Sequence, residues 1–151
     1  MLIIIIVGII AICFWLRVKR KRKLSIYLAD HYMQIDKPIP ICGTPDVIWL
    51  RGDGALVVGD YKSRSNGQTY YSDIIQLSTY KVLLKYTQGR SIADYGYIHF
   101  SKGRRVAVKL LSEREVIELY RHYCDVVKGT VNSRSVNRKE YCRFCPHIGK
   151  C

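Results

Sequence analysis

The chain has 151 residues, of which 48% are hydrophobic and 25% are charged, a balance that is typical of globular proteins and excludes wholesale disorder. Its net charge is +13, and because six positive charges lie in residues 17–23, the rest of the chain carries +7. A surplus of this size favours a polyanionic partner. The sequence has no Walker loop, no Ser-His-Asp signature and no Rossmann fingerprint, so NTP-driven and redox-cofactor chemistry have no support.

The N-terminus predicts a short membrane anchor. Residues 1–16 have no charged side chain, and the basic run follows directly. A cleaved signal peptide has the opposite order, with its positive charge before the apolar run. We therefore predict a single-pass transmembrane segment over residues 1–17 and a basic juxtamembrane segment over 18–23, with the soluble part facing the cytoplasm by the positive-inside rule. A buried N-terminal helix or strand is the alternative, and the basic run suits either anionic headgroups or nucleic acid.

Residues 24–128 are predicted to form the folded core, an α/β fold with a mixed sheet and helices packed on it. Residues 24–36 form either a strand or a short helix. In chain order, the pattern then predicts a strand over 40–50, a turn at 51–54, a strand over 55–62, a helix over 70–87, a strand over 94–100, a strand over 106–111, and a helix from the capping box of Ser112 and Glu115 to about residue 127. The order is therefore β-β-β-α-β-β-α, followed by a tail over 129–151.

Two acids and a lysine gather at the predicted hairpin. Asp60 and Lys62 alternate onto one face of the return strand, and Asp46 on the preceding strand falls within about one residue of the position opposite Asp60. Two close carboxylates repel unless a cation lies between them, and a hard ion such as Mg²⁺ or Mn²⁺ suits oxygen ligands. Lys62 beside such an ion can activate a water and offset the charge of a phosphate. The alternative is an exposed Asp60–Lys62 ion pair, with Asp46 capping a bend.

The next predicted helix extends this pattern. Gln76 and Tyr80 are four residues apart, so they share one helix face, and they follow Lys62 by 14 and 18 residues. The complete run is Gly43-x-x-Asp46, Asp60-x-Lys62 and Gln76-x-x-x-Tyr80. This run resembles the RecB-type branch of the PD-(D/E)XK nuclease superfamily, whose motifs occur in the same order at similar spacing.

The resemblance implies a mixed sheet flanked by helices, bound Mg²⁺ or Mn²⁺, and hydrolysis of DNA phosphodiesters, with exonuclease action on single strands or ends. It gives the following roles: Asp46, Asp60 and the Tyr61 carbonyl as metal ligands, Lys62 as the catalytic lysine, and Gln76 and Tyr80 as orienting residues. RecB-type nucleases usually place a histidine on a helix before the first acidic motif. Here the predicted anchor occupies that place, and His31 is either a metal ligand or an ordinary surface residue.

Three cysteines close the chain with C-x2-C-x5-C spacing. They are Cys142, Cys145 and Cys151. In a cytoplasmic protein such thiols favour a metal or cluster site over disulfides. The spacing resembles the iron–sulfur tail of RecB-like exonucleases, including CRISPR-associated and AddB-type proteins, which implies a [4Fe–4S] cluster with Cys42 as the upstream ligand. The alternatives are Cys124 as that ligand, Zn²⁺ bound with His147 or His122, and a tail of reduced thiols.

The sequence as a whole predicts a membrane-tethered, metal-dependent DNA nuclease with an iron–sulfur tail. The alternative is a catalytically inactive, membrane-anchored nucleic-acid-binding module with a zinc or iron–sulfur staple. Tyr70 and Tyr71, near the helix start, are candidates for stacking on unpaired bases or for packing. His99 is expected to be a hydrogen-bonded histidine within a strand.

Overall fold

The computed structural model describes residues 6–10, 12–16 and 23–131. Residues 6–10 and 12–16 are helical. The elements that follow are β1 (Leu24–Ala29), β2 (Met33–Ile35), β3 (Ile41–Gly43), β4 (Val47–Arg51), β5 (Leu56–Lys62), α1 (Tyr71–Gln88), β6 (Tyr95–Phe100), β7 (Arg105–Lys109) and α2 (Glu113–Val127). The chain divides into two compact units, Met1–Val116 and Ile117–Cys151, and α2 continues from the first unit into the second.

The central sheet has five strands in the order β1-β4-β5-β6-β7. Neighbouring strands are antiparallel except β5 and β6, which are parallel and are joined through α1. The strands β2 and β3 form a separate two-stranded sheet. The predicted α/β class, a mixed sheet flanked by helices, is confirmed.

The predicted turn at residues 51–54 joins β4 to β5. The main-chain N–H of Gly54 donates to the carbonyl of Arg51 at 2.8 Å, which closes the turn. Gly54 has a φ of +89°, a conformation that other residues adopt only with strain. The side chains of Arg51 and Asp53 form an ion pair at 2.8 Å across the turn. Local chemistry alone therefore explains why the chain reverses at this point.

The segment before β4 differs from the prediction. The sequence predicts one strand over 40–50, whereas β3 and β4 lie in different sheets. Pro45 separates them, because it is fully buried and has no N–H for a ladder hydrogen bond. Residues 24–36 form strands, β1 and β2, so five strands rather than three precede α1 and the predicted element order is wrong there.

The main hydrophobic core lies between the central sheet and α1. Its largest fully buried side chains include Ile48, Val58, Leu77, Leu83, Leu84 and Ile98. Because side chains alternate along a strand, the intervening residues form a second, smaller cluster on the other face of the sheet. That cluster consists of Val47, Trp49, Val57 and Ala93, with Leu24, Tyr95 and Tyr97 packed against it.

One end of α1 and one end of α2 lie at residues that the sequence marks. The helix α1 ends at Gly89, which has a left-handed φ of +59°. The helix α2 begins at the predicted capping box, in which the N–H and the hydroxyl of Ser112 donate to the carboxylate of Glu115 at 2.7 and 2.6 Å. The predicted bounds of α1 agree with the structure to within one residue at each end.

Candidate active site

Asp46 and Asp60 lie side by side where β4 begins. Val47 pairs with Gly59, so the position of Asp46 is directly opposite that of Asp60. Asp46 Oδ2 accepts a hydrogen bond from the main-chain N–H of Tyr61 at 2.6 Å, which holds this carboxylate beside β5. Each acid is two residues from a core side chain, Ile48 or Val58, so both acids belong to the sheet face that α1 covers.

The carboxylate of Asp60 is buried beside one positive and one negative group. The residue is 3% exposed, and Lys62 Nζ lies 2.7 Å from Asp60 Oδ2. Burial raises the pKa of Asp60, the ammonium of Lys62 lowers it, and the carboxylate of Asp46 raises it again, so the net shift is upward. Asp60 Oδ2 forms this ion pair with Lys62 and has no further hydrogen-bond partner among the described residues.

The helix α1 brings an amide and a phenol to this pair. Gln76 Nε2 donates to Asp60 Oδ1 at 3.2 Å, and Gln76 Oε1 accepts from Lys62 Nζ at 2.9 Å. Gln76 Nε2 also lies 3.0 Å from the hydroxyl of Tyr80, one helical turn further along. A Cβ atom at Gly43 would come within 2.8 Å of the Tyr80 ring, so a glycine is needed there for the ring to lie against β3. The run of motifs that the sequence marks is thus brought together in space.

Asp73 and Arg64 also belong to this constellation, and neither was predicted from the sequence. Asp73 is buried and accepts a hydrogen bond from the N–H of Tyr70 at 2.8 Å. Its carboxylate forms an ion pair with Arg64 and lies 3.7 Å from Lys62 Nζ. Burial raises the pKa of Asp73, but the N–H of Tyr70 and the guanidinium of Arg64 together lower it by more, so the net shift is downward. The guanidinium of Arg64 also lies over the rings of Tyr70 and Phe100, at 4.7 and 5.3 Å.

One signal in the sequence points to Asp73. An acid in the first turn of a helix satisfies free main-chain N–H groups and suits the helix dipole. That signal marks where α1 starts, but it does not indicate that the same carboxylate faces Lys62 and Arg64. Those contacts depend on how the loop before α1 folds back over the end of β5.

The residues at the site fit a hard divalent cation. The described residues contain no group of three or more His, Cys, Asp or Glu side chains that could hold a metal ion. The candidate metal ligands are therefore the carboxylates of Asp46 and Asp60, with the main-chain carbonyl of Tyr61 next along β5. Oxygen ligands of this kind, together with water, are those that Mg²⁺ and Mn²⁺ prefer, and Asp60 Oδ2, which pairs with Lys62 but has no hydrogen bond among the described residues, has a lone pair for such an ion.

The remaining predicted features are the cysteine ligands, the N-terminal anchor and His31, and part of them lies outside the described residues. Cys42 is exposed on β3, where it pairs with Gln34. Cys142, Cys145 and Cys151 lie outside the described residues, as do parts of the predicted anchor and basic segment at 1–5, 11 and 17–22. Within the described part of the chain, no helix has the length and apolar character needed to cross a bilayer. His31 is exposed.

The family model of the PD-(D/E)XK nuclease superfamily matches residues 10–151, and the chain belongs to this superfamily. Proteins of this superfamily are generally nucleases that hydrolyse phosphodiester bonds, and they typically use Mg²⁺ or Mn²⁺. The crystal structure of SSO0001 is similar to this chain at 17% identity with a TM-score of 0.50; the match covers 97% of this chain and 69% of that one, and it shows a shared fold. No curated protein matches the chain.

Proposed function

We propose that the chain is a Mg²⁺- or Mn²⁺-dependent deoxyribonuclease of the RecB-like type. The observation that carries the proposal is the buried Asp60, held between the ammonium of Lys62 and the amide of Gln76 with Asp46 alongside. Membership of the superfamily supports phosphodiester hydrolysis at this site. No other cluster of acids and a lysine among the described residues has this combination of burial and hydrogen bonding.

The roles of the side chains follow from their positions. A divalent ion bound by Asp46 and Asp60 would polarise the phosphate and lower the pKa of a bound water. Lys62 places a positive charge where the phosphate gains negative charge, and it is oriented by its contacts with Asp60 and Gln76. Tyr80 holds the amide of Gln76 in turn, so α1 fixes the geometry of the acids and the lysine.

The proposed substrate is DNA, cleaved from ends or along single strands. The net charge of +13 supports a nucleic-acid partner, since phosphate contacts supply most of the affinity in such complexes. The rings of Tyr70 and Tyr71 are exposed at the start of α1, next to Arg64, where they can meet unpaired bases.

Two accessory features are part of the proposal and rest on the sequence. The apolar N-terminus and its basic run support a membrane tether with the nuclease core in the cytoplasm. The spacing of Cys142, Cys145 and Cys151 supports a [4Fe–4S] cluster, with Cys42 as the proposed fourth ligand and Zn²⁺ as the alternative metal. Iron, sulfide and zinc analysis of anaerobically purified protein, with a visible absorption spectrum, separates these alternatives.

A catalytically inactive nucleic-acid-binding module is the second candidate. The exposed position of His31 favours it, because RecB-type sites usually include an upstream histidine. This candidate predicts DNA binding that weakens with salt and no hydrolysis at any concentration of Mg²⁺ or Mn²⁺.

Cleavage of labelled DNA by the full-length protein tests the proposal. The protein is purified anaerobically in detergent and incubated with single-stranded and duplex DNA in Mn²⁺, Mg²⁺ or EDTA. We expect metal-dependent cleavage, and we expect Lys62→Ala to lower its rate by about 100-fold or more. Lys81→Ala is the matched control, because Lys81 also pairs with an aspartate, Asp94 at 3.0 Å, but not at this site. Absence of cleavage, or equal cleavage by Lys62→Ala, would contradict the proposal.

A further inference from the structure

The sheet face opposite the catalytic residues carries a row of aromatic side chains. We call it the aromatic face, and it consists of Trp49, Tyr61, Tyr95, Tyr97 and His99. Tyr61 lies between Asp60 and Lys62 in β5 and therefore points away from them. The register places Tyr61 beside His99 on β6, and His99 beside Arg105 on β7. The aromatic face thus includes the segment of β5 that carries the catalytic residues, together with the neighbouring strands β4 and β6, and Arg105 on β7 lies at its border.

The rings of the aromatic face contact one another. The centroid of the His99 ring lies 4.8 Å from that of Tyr61, 5.1 Å from that of Trp49 and 6.5 Å from that of Tyr97. Tyr97 also meets Trp49 at 5.9 Å and Tyr95 at 5.5 Å. Such pairs hold their rings in fixed orientations. Tyr61 at the end of the row is 57% exposed, and the rings of Tyr95 and Tyr97 are partly exposed.

A glycine makes room for this arrangement. A Cβ atom at Gly59 would overlap Cζ3 and Cη2 of the Trp49 ring, so the indole lies directly on the backbone of β5. The ring of Trp49 in turn packs against the ring of His99. The layer of rings is therefore built into the sheet by close packing.

Two arginines border the aromatic face. The guanidinium of Arg105 lies 4.5 Å from the centre of the Tyr97 ring, and Arg51 Nη1 donates to the hydroxyl of Tyr95 at 3.2 Å. Burial, with a smaller effect of Arg105, lowers the pKa of His99, which favours the neutral imidazole. His99 lies within a strand as predicted, but its Nε2 is buried and has no hydrogen-bond partner among the described residues, so the expected hydrogen bond is absent at that atom.

We propose that the aromatic face binds unpaired bases of a single DNA strand, with Tyr61 and Tyr97 as stacking residues and Arg105 as a phosphate contact. Partly exposed rings beside a guanidinium suit a strand that offers base faces and phosphates together. A duplex is a poorer fit, because its bases already stack on one another. The inference rests on the proposed nuclease function and extends it, since it assigns single-strand recognition to the face opposite the catalytic residues.

Equilibrium binding without metal ions tests this inference separately from cleavage. The full-length protein in detergent is titrated, in EDTA, into labelled oligonucleotides of about 20 nucleotides: poly-dT, an abasic strand of equal charge, and a duplex. We expect the abasic strand to bind at least about 10-fold more weakly than poly-dT, because it loses stacking on two rings and each is worth about fivefold or more. Tyr97→Ala removes one of the two rings and should weaken poly-dT binding by about fivefold, and Tyr97→Phe should restore it.

The controls distinguish stacking from a loss of structure. Tyr86→Ala removes an exposed tyrosine of α1, away from the aromatic face, and should change the affinity by no more than about twofold. If Tyr97→Ala fails to fold, Tyr61→Leu removes the exposed ring while keeping an apolar side chain. In the wild-type protein, quenching of Trp49 fluorescence by poly-dT should be lost in Trp49→Phe.

Each outcome has a definite meaning. Equal affinities for poly-dT and the abasic strand would overturn the inference, as would a Tyr97→Ala variant that binds like the wild type. Neither result would count against the proposed nuclease function. A Tyr97→Ala variant that changes oligomeric state or lipid binding but not DNA affinity would also overturn it, because the aromatic face would then bind a second copy or a membrane. Stacking-dependent binding without Mn²⁺-dependent cleavage would support the inference and refute the nuclease proposal.

Discussion

Replacing Asp73 by asparagine should destabilise the protein and weaken its proposed activity. The side chain of Asp73 is 5% exposed and balances two cations, with Arg64 in direct contact and Lys62 Nζ at 3.7 Å. Asparagine keeps an oxygen for the N–H of Tyr70 but loses the charge, which leaves the two cations close together.

The size of the effect follows from these contacts. Charge-assisted hydrogen bonds contribute about 1.5–3 kcal/mol, and breaking a buried ion pair costs about 3–5 kcal/mol. Because Lys62 and Arg64 are themselves partly exposed, we expect a loss of about 2 kcal/mol in the free energy of unfolding at pH 7. For a domain of this size the melting temperature should fall by about 8 °C. Loss of the proper position of Lys62 should also lower metal-dependent cleavage.

Urea denaturation of both proteins between pH 7 and pH 3 provides the assay. The pKa of Asp73 is lowered in the folded state, so its contribution is present above the unfolded pKa of about 3.9 and is lost as the pH falls through the folded value. The difference between wild type and Asp73→Asn should therefore shrink below about pH 4. Asp94→Asn is the control, because Asp94 pairs with Lys81 but its side chain is 89% exposed, and its effect should not exceed about 0.5 kcal/mol. Equal destabilisation by the two variants, or a difference that does not depend on pH, would refute this reasoning.

Three further predictions concern other parts of the chain. Asp60→Asn should raise the melting temperature of the metal-free protein at pH 7, because the raised pKa of Asp60 means that its carboxylate is less favourable in the folded state than in the unfolded one. Calorimetry in EDTA should show that this gain shrinks towards pH 4. A loss of stability at pH 7 would contradict the prediction. Gly59→Ala should cost about 1–3 kcal/mol in denaturant unfolding and shift the fluorescence of Trp49, whereas an unchanged midpoint would show that the indole moves freely. Glu113→Gln should cost about 0.5 kcal/mol at pH 7, and this cost should shrink as the pH falls below about 4, since hydrogen bonds from Lys85 and then Tyr86 lower the pKa of Glu113; a cost that does not depend on pH would count against this explanation.

The parts of the fold that the sequence predicts correctly are those with local causes. The turn at residues 51–54, the capping box of Ser112 and Glu115, and the helix over 70–87 each depend on side chains a few residues apart. The register of the hairpin follows from its turn, and this register places Asp46 opposite Asp60. The spacing of Gln76 and Tyr80 likewise predicts one helix face.

The parts that sequence reasoning missed depend on tertiary contacts. The break at Pro45 separates two sheets, but the run of apolar residues around it resembles one continuous strand. Asp73 has the local signal of a helix start, and its position beside Lys62 depends on the loop before α1. The aromatic face joins residues from β4, β5 and β6, which lie up to 50 positions apart in sequence, so no local pattern marks it.

The binding of Mn²⁺ to the full-length protein is the decisive test of the proposed active site, because Asp46 and Asp60 are proposed to share one hard ion. Calorimetric titration of metal-free protein should show a Mn²⁺ site that Asp46→Ala and Asp60→Asn each abolish. Asp36→Ala, which removes an exposed aspartate upstream of the site, should leave that binding unchanged. Mn²⁺ bound equally well by Asp46→Ala and by the wild type would contradict the account.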